Sequence, residues 1–226
     1  MLSANVNKIT LNKYLPFIVA LFIVFGVSSF FNLYLGLELD TLKDHLRIVL
    51  GLIEQWLVVA VLILLIFYWE HRPLSSIGFK KISKPDIFWG FIVLVIGCTS
   101  FLITGPLVSS LNLVSQSSEI SGVLSVPLGL RILMVLTAGI TEEIIFRGYL
   151  IERLNSFTRR LFISAVISFF AFTIFHIPFW GIGATIQVGV WAIPVTILYV
   201  RRRNLTICIL VHILTNATVL VPLLFN

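Results

Sequence analysis

Apolar runs of helix length recur along the chain, and they restrict its fold more than any other feature. They extend from about Tyr14 to Gly36, Ile48 to Trp69, Ile87 to Val108, Leu128 to Leu150, Leu161 to Phe179, Gly183 to Val200 and Leu205 to Phe225. Crossing the ~30 Å hydrocarbon core of a bilayer takes ~20 apolar residues at a rise of ~1.5 Å each. In lipid the backbone must satisfy its own hydrogen bonds, so uninterrupted runs of this length form helices, not the short alternating strands of a barrel. The expected fold is all-α, a polytopic transmembrane helical bundle of about seven spans. A soluble domain could not hide so much apolar surface, since 58% of the 226 residues are hydrophobic.

The formal net charge of +6 is distributed in bursts. Lys8 and Lys13 precede the first run. Arg72, Lys80, Lys81 and Lys84 follow the second, Arg153, Arg159 and Arg160 the fourth, and Arg201, Arg202 and Arg203 the sixth. Basic residues on alternate loops put the N-terminus in the cytoplasm and the C-terminus outside. The expected contacts of these bursts are anionic lipid headgroups, not nucleic acid. The Ile77-Gly78-Phe79 patch within the second burst is expected at the bilayer surface. Glu54 is expected near an interface. The serine-rich stretch from Leu111 to Val126 reads as an outside loop with room for a short interfacial helix.

Met1 to Lys13 is polar, and the run behind it has full membrane length with no small-residue cleavage site, so it reads as a first span and not a signal peptide. Cys98 and Cys208 lie in apolar runs as small buried hydrophobes, with no disulfide framework or thiolate zinc site between them. Residues 1–226 are taken as one transmembrane domain, with three N-terminal spans in 1–110 and a four-helix core in 128–226.

Three polar clusters interrupt the runs. The first is EEIIFR, Glu142 to Arg147. Charged groups in a bilayer are costly unless they face a cavity or one another. Glu143 and Arg147 are four apart and can pair on a helix. Glu142 is rotated from that pair by about 100°, which frees its carboxylate to act as a general base. The second is FTIFH, Phe172 to His176, with Pro178 close behind. The third is HILTN, where His212 and Asn216 share a helical face and offer hydrogen bonds to an oxygen that gains negative charge. Taken singly, each also suits a bland role: a packing salt bridge, a polar helix end, an interhelical hydrogen-bonding pair. Together they are the parts that activate water and stabilise a tetrahedral intermediate. Glu142, His176 and His212 also form a possible ligand set for a divalent metal such as zinc. The HExxH and GxSxG signatures are absent.

With EEIIFR, FTIFH and HILTN in order, the chain from about Leu128 onward resembles the CPBP family, the CAAX protease and bacteriocin-processing (Abi) family of intramembrane proteases. The resemblance implies that Glu142 activates the attacking water and that His176 helps to hold it. It implies that His212 and Asn216 stabilise the oxyanion, supported by Glu143 and Arg147. Either a metal-free or a metal-dependent site is compatible with these residues. The implied activity is peptide-bond hydrolysis on a membrane-associated or prenylated-type peptide or protein substrate. The compact size points to a prokaryotic plasma membrane. A bacteriocin-immunity or scaffold protein that only binds a partner is the alternative, and a proton-coupled transporter is a third reading, disfavoured by the lack of an inverted repeat. The sequence carries no signal for the oligomeric state.

Overall fold

A computed structural model describes residues 14–27, 44–113 and 126–218. These residues are helical, with no strand among them. The interfacial helix expected within 111–126, the end of the first run and the last residues of the seventh lie largely outside the described residues. The chain divides into two compact units, Met1–Leu74 and Ser75–Asn226.

In the first unit, α1 covers residues 14–21 and continues as a π-helical turn, Phe22–Val27. Helix α2, Asp44–Leu64, continues likewise into a π turn, Leu65–Trp69. Glu54, Val58, Leu62 and Ile66 recur every four residues and are buried, while Leu57, Val61, Leu64 and Phe67 are exposed. One stripe thus packs inward and the other apolar positions face outward, as suits a lipid-covered helix. Glu54, expected near an interface, sits on the buried stripe.

The second unit contains α3 (Lys84–Ser110), α4, α5 (Leu161–Phe175), α6 (Ile177–Arg202) and α7 (Leu205–Ala217). Helix α4 is continuous over residues 128–158, but it changes pitch from α (Leu128–Glu142) to π (Glu143–Leu150) and back to α (Ile151–Thr158). Helix α3 packs against α6 and α7, so this third apolar run belongs with the C-terminal unit. Helix α6 is interrupted by a kink at Gly181 and then runs on to Arg202 with Pro194 inside it. Among the described residues, three helices are long and apolar enough to cross a membrane: His45–Trp69, Lys84–Ser110 and Ile177–Arg202. Tyr14–Gly26, Leu161–Phe175 and Leu205–Ala217 are shorter apolar helices. The protein is a membrane protein by these helices.

The basic residues of the loop before α3 are exposed, but its Ile77-Gly78 segment is not a surface patch. Ile77 and Gly78 are buried, correcting the expectation of bilayer contact there. Arg153 donates to Ser76 O (3.3 Å) and Ser76 Oγ (3.0 Å), and Leu205 N–H donates to Gly78 O (2.7 Å). Gly78 has φ +90°, and a Cβ there would lie 2.7 Å from the Tyr199 hydroxyl, so both conformation and space require glycine. Asp86 closes the clamp. It accepts from Ser83 N–H and Oγ–H, from Asn204 Nδ2 and, at 2.7 Å, from Arg202 Nε.

This clamp also removes a discrepancy in depth. Counted from Arg153, Glu142 lies shallower than His176 does counted from Arg160. Arg153 is only 3% exposed and is not an interface residue; α4 runs on to Thr158. From there Glu142 is ~24 Å away, and His176 lies ~22 Å from Leu161, at ~1.5 Å per residue. The two arms of this hairpin are equal in length.

Candidate active site

The site forms where the pitch of α4 changes. Glu142 ends the α segment and Glu143 opens the π segment. The Ile151 N–H bonds to Phe146 O, five residues back, and Ser168 Oγ–H of α5 donates to the same carbonyl at 2.6 Å. A side chain from the neighbouring helix thus ties down a π turn, a form that tends to occur at functional positions.

Gly139 brings α7 close. A Cβ on it would lie 2.5 Å from Ile213 Cγ1 and 3.1 Å from Ile213 N, so only a glycine permits this approach. One turn along, Glu143 Oε1 accepts from Arg147 Nη1 and from His212 Nδ1, both at 2.9 Å. Glu143 is fully buried and Arg147 is 1% exposed. Ion pairing within the buried site offsets the cost of burying each charge. The Arg147 guanidinium lies 4.0 Å over the Phe172 ring and 6.0 Å from the Trp191 ring.

The two imidazoles are held alike. His176, which caps α5, has Nδ1 2.7 Å from Phe172 O. A carbonyl only accepts, so that Nδ1 carries the proton. His212 Nδ1 donates to the Glu143 carboxylate by the same logic. Each ring rests on an aromatic neighbour with centroids 4.5 Å apart, His176 on Phe172 and His212 on Trp191. In the neutral imidazoles both Nε2 atoms are therefore acceptors. Both face Glu142 Oε2, at 3.8 Å from His176 and 3.9 Å from His212. Three acceptors converge on one gap too wide for direct hydrogen bonds. A water ~2.8 Å from its partners, donating to two of them, fits gaps of this width. Glu142 is the open side, with 22% of its side chain exposed.

A zinc ion suits this arrangement less well. Tetrahedral zinc with bonds of ~2.0–2.1 Å sets its donors ~3.4 Å apart, narrower than both gaps. Among the described residues no group of three or more His, Cys, Asp or Glu side chains is placed to hold a metal ion. Glu142, His176 and His212 as arranged do not fit it.

Five of the six residues singled out in the sequence thus meet: Glu142, Glu143, Arg147, His176 and His212. Asn216 stands one turn beyond His212, half-buried, and no side-chain hydrogen bond ties it to the cluster. One contributor was missed, and so was one buried charge outside the cluster. Trp191 backs His212 and donates to Thr215 Oγ1 at 3.4 Å; in the sequence it is one more apolar residue in a run. Arg131, in the first turn of α4, is 6% exposed, and its Nε and Nη1 have no hydrogen-bond partner. A lone basic residue inside an apolar run was the available signal for it.

An all-helical membrane protein with a carboxylate and two imidazoles converging in its interior is the class that fold and site define. Residues 124–218 match the family model for the Rce1-like type II CAAX prenyl endopeptidases, a match consistent with the CPBP family. No curated protein and no solved structure matches the chain.

Proposed function

We propose that the protein is an intramembrane endopeptidase of the CAAX type, which hydrolyses a peptide bond of a membrane-associated or prenylated-type substrate with a water activated by Glu142. The observation that carries this reading is the convergence of Glu142 Oε2 and the two Nε2 atoms on one gap. A water there donates one proton toward Glu142 and the other toward an imidazole. Glu142 takes its proton as the water oxygen attacks the scissile carbonyl, then passes that proton to the leaving amine. No acyl-enzyme forms, because water is the nucleophile.

The carbonyl oxygen becomes an oxyanion and needs donors. Asn216 offers an amide N–H. His212 donates from Nε2 only as an imidazolium, since its Nδ1–H is committed to Glu143. The Glu143 carboxylate is placed to balance that charge, and Arg147 holds the carboxylate in turn. The basic bursts orient the bundle with about seven spans and a cytoplasmic N-terminus, in a prokaryotic plasma membrane.

The test uses the full chain in proteoliposomes with a peptide library, read by mass spectrometry. The wild type is expected to cut at a defined set of bonds. Glu142→Gln should reduce cleavage ~10²–10⁴-fold, the usual contribution of a general base, with expression unchanged. Full cleavage by that variant would sink the mechanism. Peptide binding without any cleavage by the wild type would favour the non-enzymatic binding protein.

A further inference from the structure

Arg131 has no role in the chemistry above, yet it is a buried charge with enclosed, unpartnered nitrogens among the described residues of the second unit. It is nine-tenths buried, and two of its three guanidinium nitrogens, Nε and Nη1, are enclosed without a partner. The first turn of α4 carries no acidic residue, and Pro127 caps it without a side-chain hydrogen bond. The positive end of a helix is itself unfavourable for a cation. Buried guanidinium groups ordinarily pair with a carboxylate or phosphate, and among the described residues this one has no such partner.

Its position relative to Glu142 is well defined, because the α pitch is unbroken from Leu128 to Glu142. Eleven residues at ~100° and ~1.5 Å each put Arg131 within about 20° of the face of Glu142 and ~16 Å from it along the axis. Val135 and Ala138 lie between them on that face and are half-buried, not sealed. A guanidinium with no anion among the described residues and the Glu142 carboxylate therefore stand on one helix face.

We propose that Arg131 anchors a carboxylate of the peptide substrate and so sets the spacing between that carboxylate and the scissile bond. The proposal rests on the hydrolytic reading for the meaning of Glu142. At ~3.4 Å per extended residue, the ~16 Å separation corresponds to about five residues. The planar fork of arginine matches a carboxylate with two parallel N–H bonds. The partner group is the terminal carboxylate of the peptide or an acidic side chain at equal distance.

The test uses full-length Glu142→Gln protein in detergent micelles, so that bound peptide persists. The probes are N-dansyl octapeptides of apolar residues, made as free acids and as C-terminal carboxamides, plus carboxamides with one aspartate moved along the chain. The free acid, or the carboxamide with aspartate at the matching position, should bind about tenfold or more tighter than the plain carboxamide. Arg131→Gln should abolish that preference and Arg131→Lys restore part of it. Thermal stability of Arg131→Gln should stay level or rise, since an uncompensated charge is removed; a purely structural arginine would lower it. Equal binding of acid and amide overturns the proposal, as does a preference that survives Arg131→Gln. A phospholipid that co-purifies with the parent and is lost from Arg131→Gln also overturns it, because lipid phosphate would then be the occupant. Acid-selective binding without cleavage by the wild type contradicts the hydrolase reading and leaves the anchor in place. Cleavage without acid preference does the reverse.

Discussion

The second unit contains two polar networks built from the same residue types, and they are finished to different degrees. In the clamp around residues 76–86, donors meet acceptors. Asp86 receives four hydrogen bonds, Glu152 receives the Tyr199 hydroxyl at 2.5 Å together with Arg203, and Asn204 caps α7 through Thr206 N–H while donating to Lys81 O. In the cluster at the pitch change of α4, Glu143 Oε2 and Arg147 Nη2 are buried without a partner, and three acceptors confront one another across 3.8 and 3.9 Å. A closed network fixes geometry. An open one holds groups ready for a molecule still to arrive, and the lone guanidinium of Arg131 follows the same pattern. Among charged side chains the unsatisfied buried atoms fall on Glu143, Arg147 and Arg131, whereas the other two are the Thr185 and Thr196 hydroxyls; the contrast between the two networks rests on their charged groups.

Substitutions can break or sharpen that contrast. The largest expected effect on turnover is that of Glu142→Gln, ~10²–10⁴-fold, with the unfolding midpoint nearly unmoved because the side chain is part-exposed and its separations from the two imidazoles, 3.8 and 3.9 Å, exceed hydrogen-bond length. Next is Arg147→Met. It leaves the Glu143 carboxylate bound only to His212 and should cost about 3–5 kcal/mol in denaturant unfolding. Adding Glu143→Gln should recover much of that stability but not the hydrolysis. Gly139→Ala inserts a methyl against Ile213 and should cost about 1–3 kcal/mol. Turnover should fall further than the loss of folded protein explains, because α7 carries His212 away from Glu143. The smallest effect belongs to the clamp: Ser76→Ala removes one partner of Arg153 and should cost about 1 kcal/mol, with turnover per folded molecule unchanged. A clamp variant that stays folded yet loses turnover would erase the distinction between the two networks.

The sequence made the helical membrane fold and the meeting of EEIIFR, FTIFH and HILTN legible, because apolar run length and the spacing of four between Glu143 and Arg147 are local properties. The His212–Glu143 bond was not legible. It depends on the backbone approach at Gly139 and on a π segment, and an apolar stretch gives the same periodic signal whether its turns are α or π. The burial of Arg153 was not legible either, since a basic residue closing an apolar run reads as an interface marker until its contact with Ser76 is known. The burial of Ile77 was missed for a related reason: a hydrophobe among lysines looks lipid-facing, whereas this one is buried in the clamp.

The central claim is that Glu142, His176 and His212 hold a single water. Its most direct test is a high-resolution experimental structure of the wild-type protein in lipid, with anomalous data to detect metal. The account predicts one water peak within hydrogen-bonding distance, ~2.6–3.2 Å, of Glu142 Oε2 and at least one Nε2. An anomalous peak at ~2.1 Å from all three donors, or three side chains that no longer face one gap, would contradict it.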